Sequence, residues 1–380
     1  MTSRETLFAS LRGGEPERIP IIGHVDSYNR PDLYGLPAEI AEAARKYGWW
    51  SGDAAIVYAR LLNIDIAAWT KAPLVIKQKN CVSEEVVDGQ DTINIIHTPA
   101  GDIREIIRQS EEMSFRVEHF LKSPEDFAPM AEFFEDQTIE LDTEGVKMVE
   151  ERAEDINDDG ILISPLPGTP LGMLIRVYAG PQNTAYLHAD APEELAGLLK
   201  VMGKNHGRQF MLAAGSQIDA FLGMDDTSTS TQSPAMFERY CMDYTNMVAD
   251  ILHAKNKMYW HHSCGLIKDL LPLYRQTRMN AVHALNEPPT GNVWINEARK
   301  VLGGGIGIIS GPQVMKQPFT DRQKTAVETE KYFRRLDKHC CICLSGFRHL
   351  KFDDIKWLRE KLKKMGNETA LNLQGDYRVQ

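Results

Sequence analysis

Short apolar runs alternate with amphipathic stretches along most of this chain, and each predicts an element. Residues 2–11 predict an opening helix with Ser3 as its cap and Leu7 and Leu11 on one face, stopped by Gly13 and Gly14. Residues 18–26 predict a buried strand that ends in His24 and Asp26, which share a face. A helix follows over 37–47. From residue 138 the pattern becomes a steady alternation. Helices are predicted at 138–153, 191–214, 234–254, 265–277, 292–302, 321–337 and 352–365, and strands at 160–165, 218–223, 257–261, 280–285, 305–310 and 339–344. Strand then helix, repeated with short links, selects a parallel sheet. Seven such strands include the first, and an eighth expected within 51–63 closes a (β/α)8 barrel of the TIM type.

One region breaks the rhythm. Between residues 72 and 108 the runs 73–77, 82–87, 92–96 and 102–107 are short, alternating and split by turn signals at Asp88-Gly89 and Pro99-Ala100-Gly101. They predict a small antiparallel meander inserted into the barrel, suited to a lid or a dimer surface. Ser123 followed by Pro124 opens a further helix. The expected organisation is one structural domain: residues 1–150 carry the N-terminal helices, the first strand and the meander, and residues 151–380 carry the remainder of the barrel.

Composition narrows the function classes. The chain has 380 residues, 43% hydrophobic and 25% charged, with a formal net charge of −10. Nucleic-acid binding requires a concentrated basic face, which neither this charge nor any Lys/Arg run provides. No stretch approaches a membrane span, and the charged N-terminus lacks a signal peptide's apolar core, so a cytoplasmic location is expected. Six cysteines are too sparse for a disulfide framework at this length. Clustered cysteines are therefore candidate ligands or core residues, whereas the isolated Cys81 and Cys241 are expected to pack.

Two segments carry the candidate chemistry. His262 and Cys264 close an apolar strand two residues apart, so their side chains leave on the same side. Cys340, Cys341 and Cys343 occur on a distant strand, with Cys341 and Cys343 sharing a face and Cys343 nearer the strand's end. A His and two Cys form a normal zinc shell, and three protein ligands leave the fourth tetrahedral position open for catalysis. The candidate metal ligands are His262, Cys264 and Cys343, with Cys341 as substitute. Other polar residues fall at the same mouth, namely His24, Asp26, Ser164, Asp225, Asp226, Glu287 and Ser310. Of these, Asp225, Asp226, His24 and Glu287 are the candidates for polarising a substrate or moving a proton.

At these residues the chain resembles the uroporphyrinogen decarboxylase superfamily, and within it the zinc-dependent, corrinoid-linked methyltransferases. The resemblance runs over nearly the whole chain. It is carried by Arg18-Ile19-Pro20 after a short helix, the run from Thr98 to Asp102, the run from Val117 to Phe127, Ile218-Asp219-Ala220-Phe221, Ser233-Pro234, and His262-x-Cys264-Gly265 with a distant Cys matching Cys343. It implies a (β/α)8 barrel, a zinc ion on His262, Cys264 and Cys343, and methyl transfer with a corrinoid (cobalamin) carried by a partner protein. The decarboxylases hold their substrate's carboxylates with an Arg-rich loop after the first strand, whereas the segment from Gly23 to Arg30 carries one Arg. Porphyrinogen decarboxylation is thus set aside. The favoured expectation is O-demethylation of an aryl methyl ether, with methyl passing to the corrinoid. Transfer from a methylcorrinoid to a thiol is the alternative. A decarboxylase-like lyase and a non-catalytic zinc-binding barrel stand behind both, and a homodimer is compatible with the meander.

Overall fold

Runs of buried apolar residues make the strands that position everything else. The computed structural model describes residues 1–24, 37–47, 52–111, 113–313, 321–345 and 351–372. In chain order the strands are β1 (Ile21–His24), β2 (Ile66–Trp69), β3 (Leu74–Lys77), β4 (Val82–Asp88), β5 (Asp91–Thr98), β6 (Gly101–Gln109), β7 (Ser114–Glu118), β8 (Thr138–Leu141), β9 (Gly160–Pro167), β10 (Ala220–Met224), β11 (Met258–His262), β12 (Ala281–His283), β13 (Gly307–Ser310) and β14 (Cys340–Ser345). Eight of them form one parallel sheet in the order β1-β14-β13-β12-β11-β10-β9-β2. Its two ends meet. At this seam the Asp65 N–H donates to Ile21 O at 2.8 Å, and the Ile21 N–H donates to the Asp65 carboxylate at 2.8 Å. With helices alternating between the strands, this is a TIM-type barrel.

Strand alternation sorts the side chains into two cores. Inward residues such as Ile22, Trp69, Leu222, Trp260, Cys341 and Cys343 form a cluster inside the barrel, while their neighbours Phe221, Tyr259, Ile342 and Leu344 join the larger core under the helices. The opening helix, Ser3–Leu11, closes one end of the barrel. A capping box between Thr2 and Glu5 starts it, and Leu7 and Leu11, both fully buried, join the interior cluster. Arg4 Nη1 donates to Asp219 Oδ2 at 3.0 Å just before β10, and Arg18 Nη1 donates to Asp65 Oδ2 at 2.7 Å beside the seam. The Arg4 contact holds the plug at the N-terminal ends of the strands, leaving the C-terminal ends as the mouth.

The meander is the sheet β4-β5-β6-β7, antiparallel throughout. Ile96 and Ile103 are its buried apolar residues, on the side that meets the helix Phe127–Glu135, and Glu105 is buried beside them.

Several local expectations differ from the structure. Residues 52–62 form a helix, and the eighth strand is β2 just beyond it. All four β2 residues are buried on both faces, so no alternation marks the strand in sequence. The run 73–77 does not join the meander: β3 pairs antiparallel with β8, and the helix expected from 138 begins at Thr143. The single helix expected over 234–254 is two, Pro234–Tyr240 and Met242–His253, meeting at Cys241.

Candidate metal site at the barrel mouth

His262 ends β11 on its inward side, two residues beyond Trp260, and Cys264 follows at the same parity. The preceding strand brings Asp226 to them. His262 Nε2 lies 3.0 Å from Asp226 Oδ1, and Cys264 Sγ lies 3.7 Å from the same oxygen. Among the described residues, Asp226, His262 and Cys264 form a group of metal-binding type, with one donor atom of each lying within 4.8 Å of the others. Zinc bonds of about 2.0–2.3 Å give tetrahedral edges of about 3.3–3.7 Å; the 3.7 Å separation matches such an edge and the 3.0 Å one is slightly short of it, so the N, O and S donors close on a zinc ion with small shifts.

The electrostatics are those of a cation site. Burial alone would lower the His262 pKa, but hydrogen bonds with Asp226 and Cys264 outweigh it and raise it to about 9. The hydrogen bond from His262 likewise holds the Asp226 carboxyl down at about 2, with Arg176 assisting; Arg176 Nη1 is 3.4 Å from Asp226 Oδ2. Without a metal, an imidazolium therefore supplies the positive charge among these donors. A divalent ion would displace that proton.

Asp226 has a backbone φ of +52°, the left-handed conformation that Asp tolerates better than most residues. Its neighbours hold it there. Asp225 is buried, its Oδ1 accepts the Thr169 N–H at 2.8 Å, and its Oδ2 lies 3.2 Å from His261 Nδ1. Thr227 Oγ1 is 3.0 Å from His261 Nε2. The approach of the loop is tight: a Cβ on Gly172 would fall 2.0 Å from Asp225 Oδ1. His261 lies edge-on to Phe237 and Tyr274, on the helix side of the strand, so the adjacent acids serve opposite faces.

The other sequence candidates are placed as follows. Glu287 is buried, pairs with Arg335 Nε at 2.6 Å and accepts the Ile295 N–H at 3.2 Å, which ties the loop after β12 to the helix Ile295–Leu302. Ser164 is buried, and Ser310 Oγ donates to Leu285 O at 2.7 Å. His24 ends β1; its side chain and all of Asp26 lie outside the described residues. Cys343 faces the barrel interior and does not belong to the group of three. Register runs from His262 to His283, Ile309 and Cys341, and Cys343 is the next inward position beyond Cys341 toward the C-terminal end of β14. Cys341 is buried one inward position before Cys343 and is likewise outside the group of three.

Sequence reasoning passed over Arg176 and His283. Arg176 lies in an irregular helical turn, Leu174–Tyr178, where periodicity gives no signal. His283 lies inside the predicted strand 280–285, and only its register with β11 places it beside His262.

No protein-family model matches the chain, and no curated protein matches it in sequence. Comparison with solved structures does show a likeness of fold. A methyltransferase from Methanosarcina mazei superposes with a TM-score of 0.61 at 10% identity, covering 96% of this chain and 99% of its own. A glycoside hydrolase family 5 enzyme from Prevotella bryantii B14, at 12% identity, covers 59% of this chain and 77% of its own with a TM-score of 0.37. The first likeness extends the barrel comparison to nearly the full length of both chains. At such identity it concerns the fold.

Proposed function

We propose that this chain is a zinc-dependent methyltransferase that moves a methyl group from a small methylated substrate, with an aryl methyl ether favoured, to the cobalt of a corrinoid on a separate protein. The observation that carries this reading is the N, O and S donor set of His262, Asp226 and Cys264 at the C-terminal mouth of the barrel. The full-length fold likeness to a methyltransferase supports it. Cys343 remains the proposed additional thiolate ligand, because it faces the barrel interior beyond Cys341 toward the C-terminal end of β14.

A zinc ion held here would supply Lewis acidity for the oxyanion left when methyl departs. The chain's own groups set the conditions for it. Asp226 stays ionised and, through Arg176, has a second partner, so its carboxylate is the donor best able to yield a position to an incoming oxygen. Arg176 adds fixed positive charge beside the developing negative charge. Asp225 and Glu287 act through the backbone, keeping the loops after β10 and β12 in place.

The test incubates zinc-loaded protein with free cob(I)alamin and a methoxybenzoate and follows methylcobalamin by absorbance. Methylcobalamin formation that is lost in Cys264→Ala supports the proposal. Transfer that continues undiminished in Cys264→Ala stripped of zinc overturns it.

A further inference from the structure

His283 is linked to the site by geometry that the sequence reading did not use. Its Nδ1 lies 2.8 Å from His262 Nδ1, and the two rings stand 5.1 Å apart between centroids with a tilt of 40°. The pairing is set by the barrel, since His262 and His283 are register partners on β11 and β12. The His283 ring is held on both sides. It stacks on Trp260 at 6.2 Å and an interplanar angle of 11°, and meets Trp69 edge-on at 6.4 Å. Trp260 is fully buried and His283 is 7% exposed.

Two imidazole nitrogens at this separation share one proton. His262 points its other nitrogen, Nε2, at Asp226. To ligate a cation through Nε2, a neutral His262 must carry its proton on Nδ1, and that proton requires an acceptor. Were His283 the donor instead, the His262 proton would lie on Nε2 and block the metal-facing lone pair. We propose that His283 is a positioning residue: its Nδ1 accepts the Nδ1–H of His262, selecting the tautomer and ring orientation that present Nε2 to the metal beside Asp226 and Cys264. His283 is not one of the three grouped donors, so it acts through His262. The inference rests on the proposed zinc site and adds the residue that orients it.

The test uses Zn2+ alone, with affinity read by competition against a chromophoric chelator. His283→Phe keeps a ring on Trp260 and removes the acceptor, whereas His283→Asn keeps an acceptor near the Nδ1 position and removes the ring. His283→Phe is expected to weaken zinc binding about 10- to 100-fold, and His283→Asn to stay within about threefold of wild type. Equal affinity in wild type and His283→Phe, or equal losses in both variants with unchanged melting, overturns the inference while leaving the site intact. A wild-type protein that takes up no zinc overturns the site and the inference together. Independently of any variant, nitrogen NMR of zinc-loaded wild type is expected to show His262 protonated on Nδ1; protonation of its Nε2 overturns the proposal.

Discussion

Lowering pH should destabilise this fold through one buried histidine behind the site. His206 lies in the long helix Pro192–Ala213, is 1% exposed, and meets Phe134 and Tyr244 edge-on. Burial drives its pKa from 6.5 down to about 4, outweighing the nearby Gly168 backbone, which acts the other way. Gly168 precedes Thr169, whose N–H holds Asp225, so His206 lies near the loop that fixes the backbone beside Asp226. Between pH 4 and 6.5 the unfolded chain binds a proton at this position that the folded chain does not. Its contribution is therefore complete above pH 6.5 and is lost as pH falls toward 4. Each pKa unit is worth about 1.4 kcal/mol, giving a total of about 3 kcal/mol, of which about 2 kcal/mol is lost between pH 7 and pH 5. The assay is urea unfolding of wild type and His206→Gln at both pH values, with other titrating groups common to the two proteins. The drop in stability should be smaller in the variant by about 2 kcal/mol. Parallel drops would refute the reasoning, since they would mean that His206 contributes no pH dependence.

Three further outcomes follow from the packing and the site. Leu11→Ala should cost about 2–5 kcal/mol in the same unfolding assay, because Leu11 is fully buried in the interior cluster. Glu287→Gln should cost about 2–4 kcal/mol by weakening the Arg335 pair and the bond to the Ile295 N–H, yet leave zinc content unchanged by mass spectrometry. Zinc uptake by metal-free protein near pH 7 should release a proton from His262, whose pKa is raised to about 9; calorimetry in buffers of different ionisation enthalpy reads this release directly.

Much of the barrel was legible because parallel strands and their helices leave long periodic signals. The eighth strand escaped because Ile66–Trp69 is four residues long and buried on both faces, so burial carries no alternation there. His262 and Cys264 were legible because a spacing of two is itself a geometric statement on a strand. Asp225 and Asp226 were visible as a pair but not as separate roles. Which acid faces the mouth depends on a left-handed residue held by Thr169 and His261, contacts with residues distant in sequence. Glu287 stood out as a carboxylate at a strand end, and only its pairing with Arg335 reveals the loop it anchors. His283 resembled ordinary strand core until register placed it beside His262.

The central claim is a zinc ion at the mouth, and metal content tests it most directly. Protein purified without added chelator is analysed by plasma mass spectrometry, with wild type beside Cys264→Ala, Cys343→Ala and Asp226→Asn. The account predicts about one zinc per chain in wild type, lost in Cys264→Ala and reduced in Cys343→Ala and Asp226→Asn. Wild-type protein without zinc that also fails to take it up on titration would contradict the account.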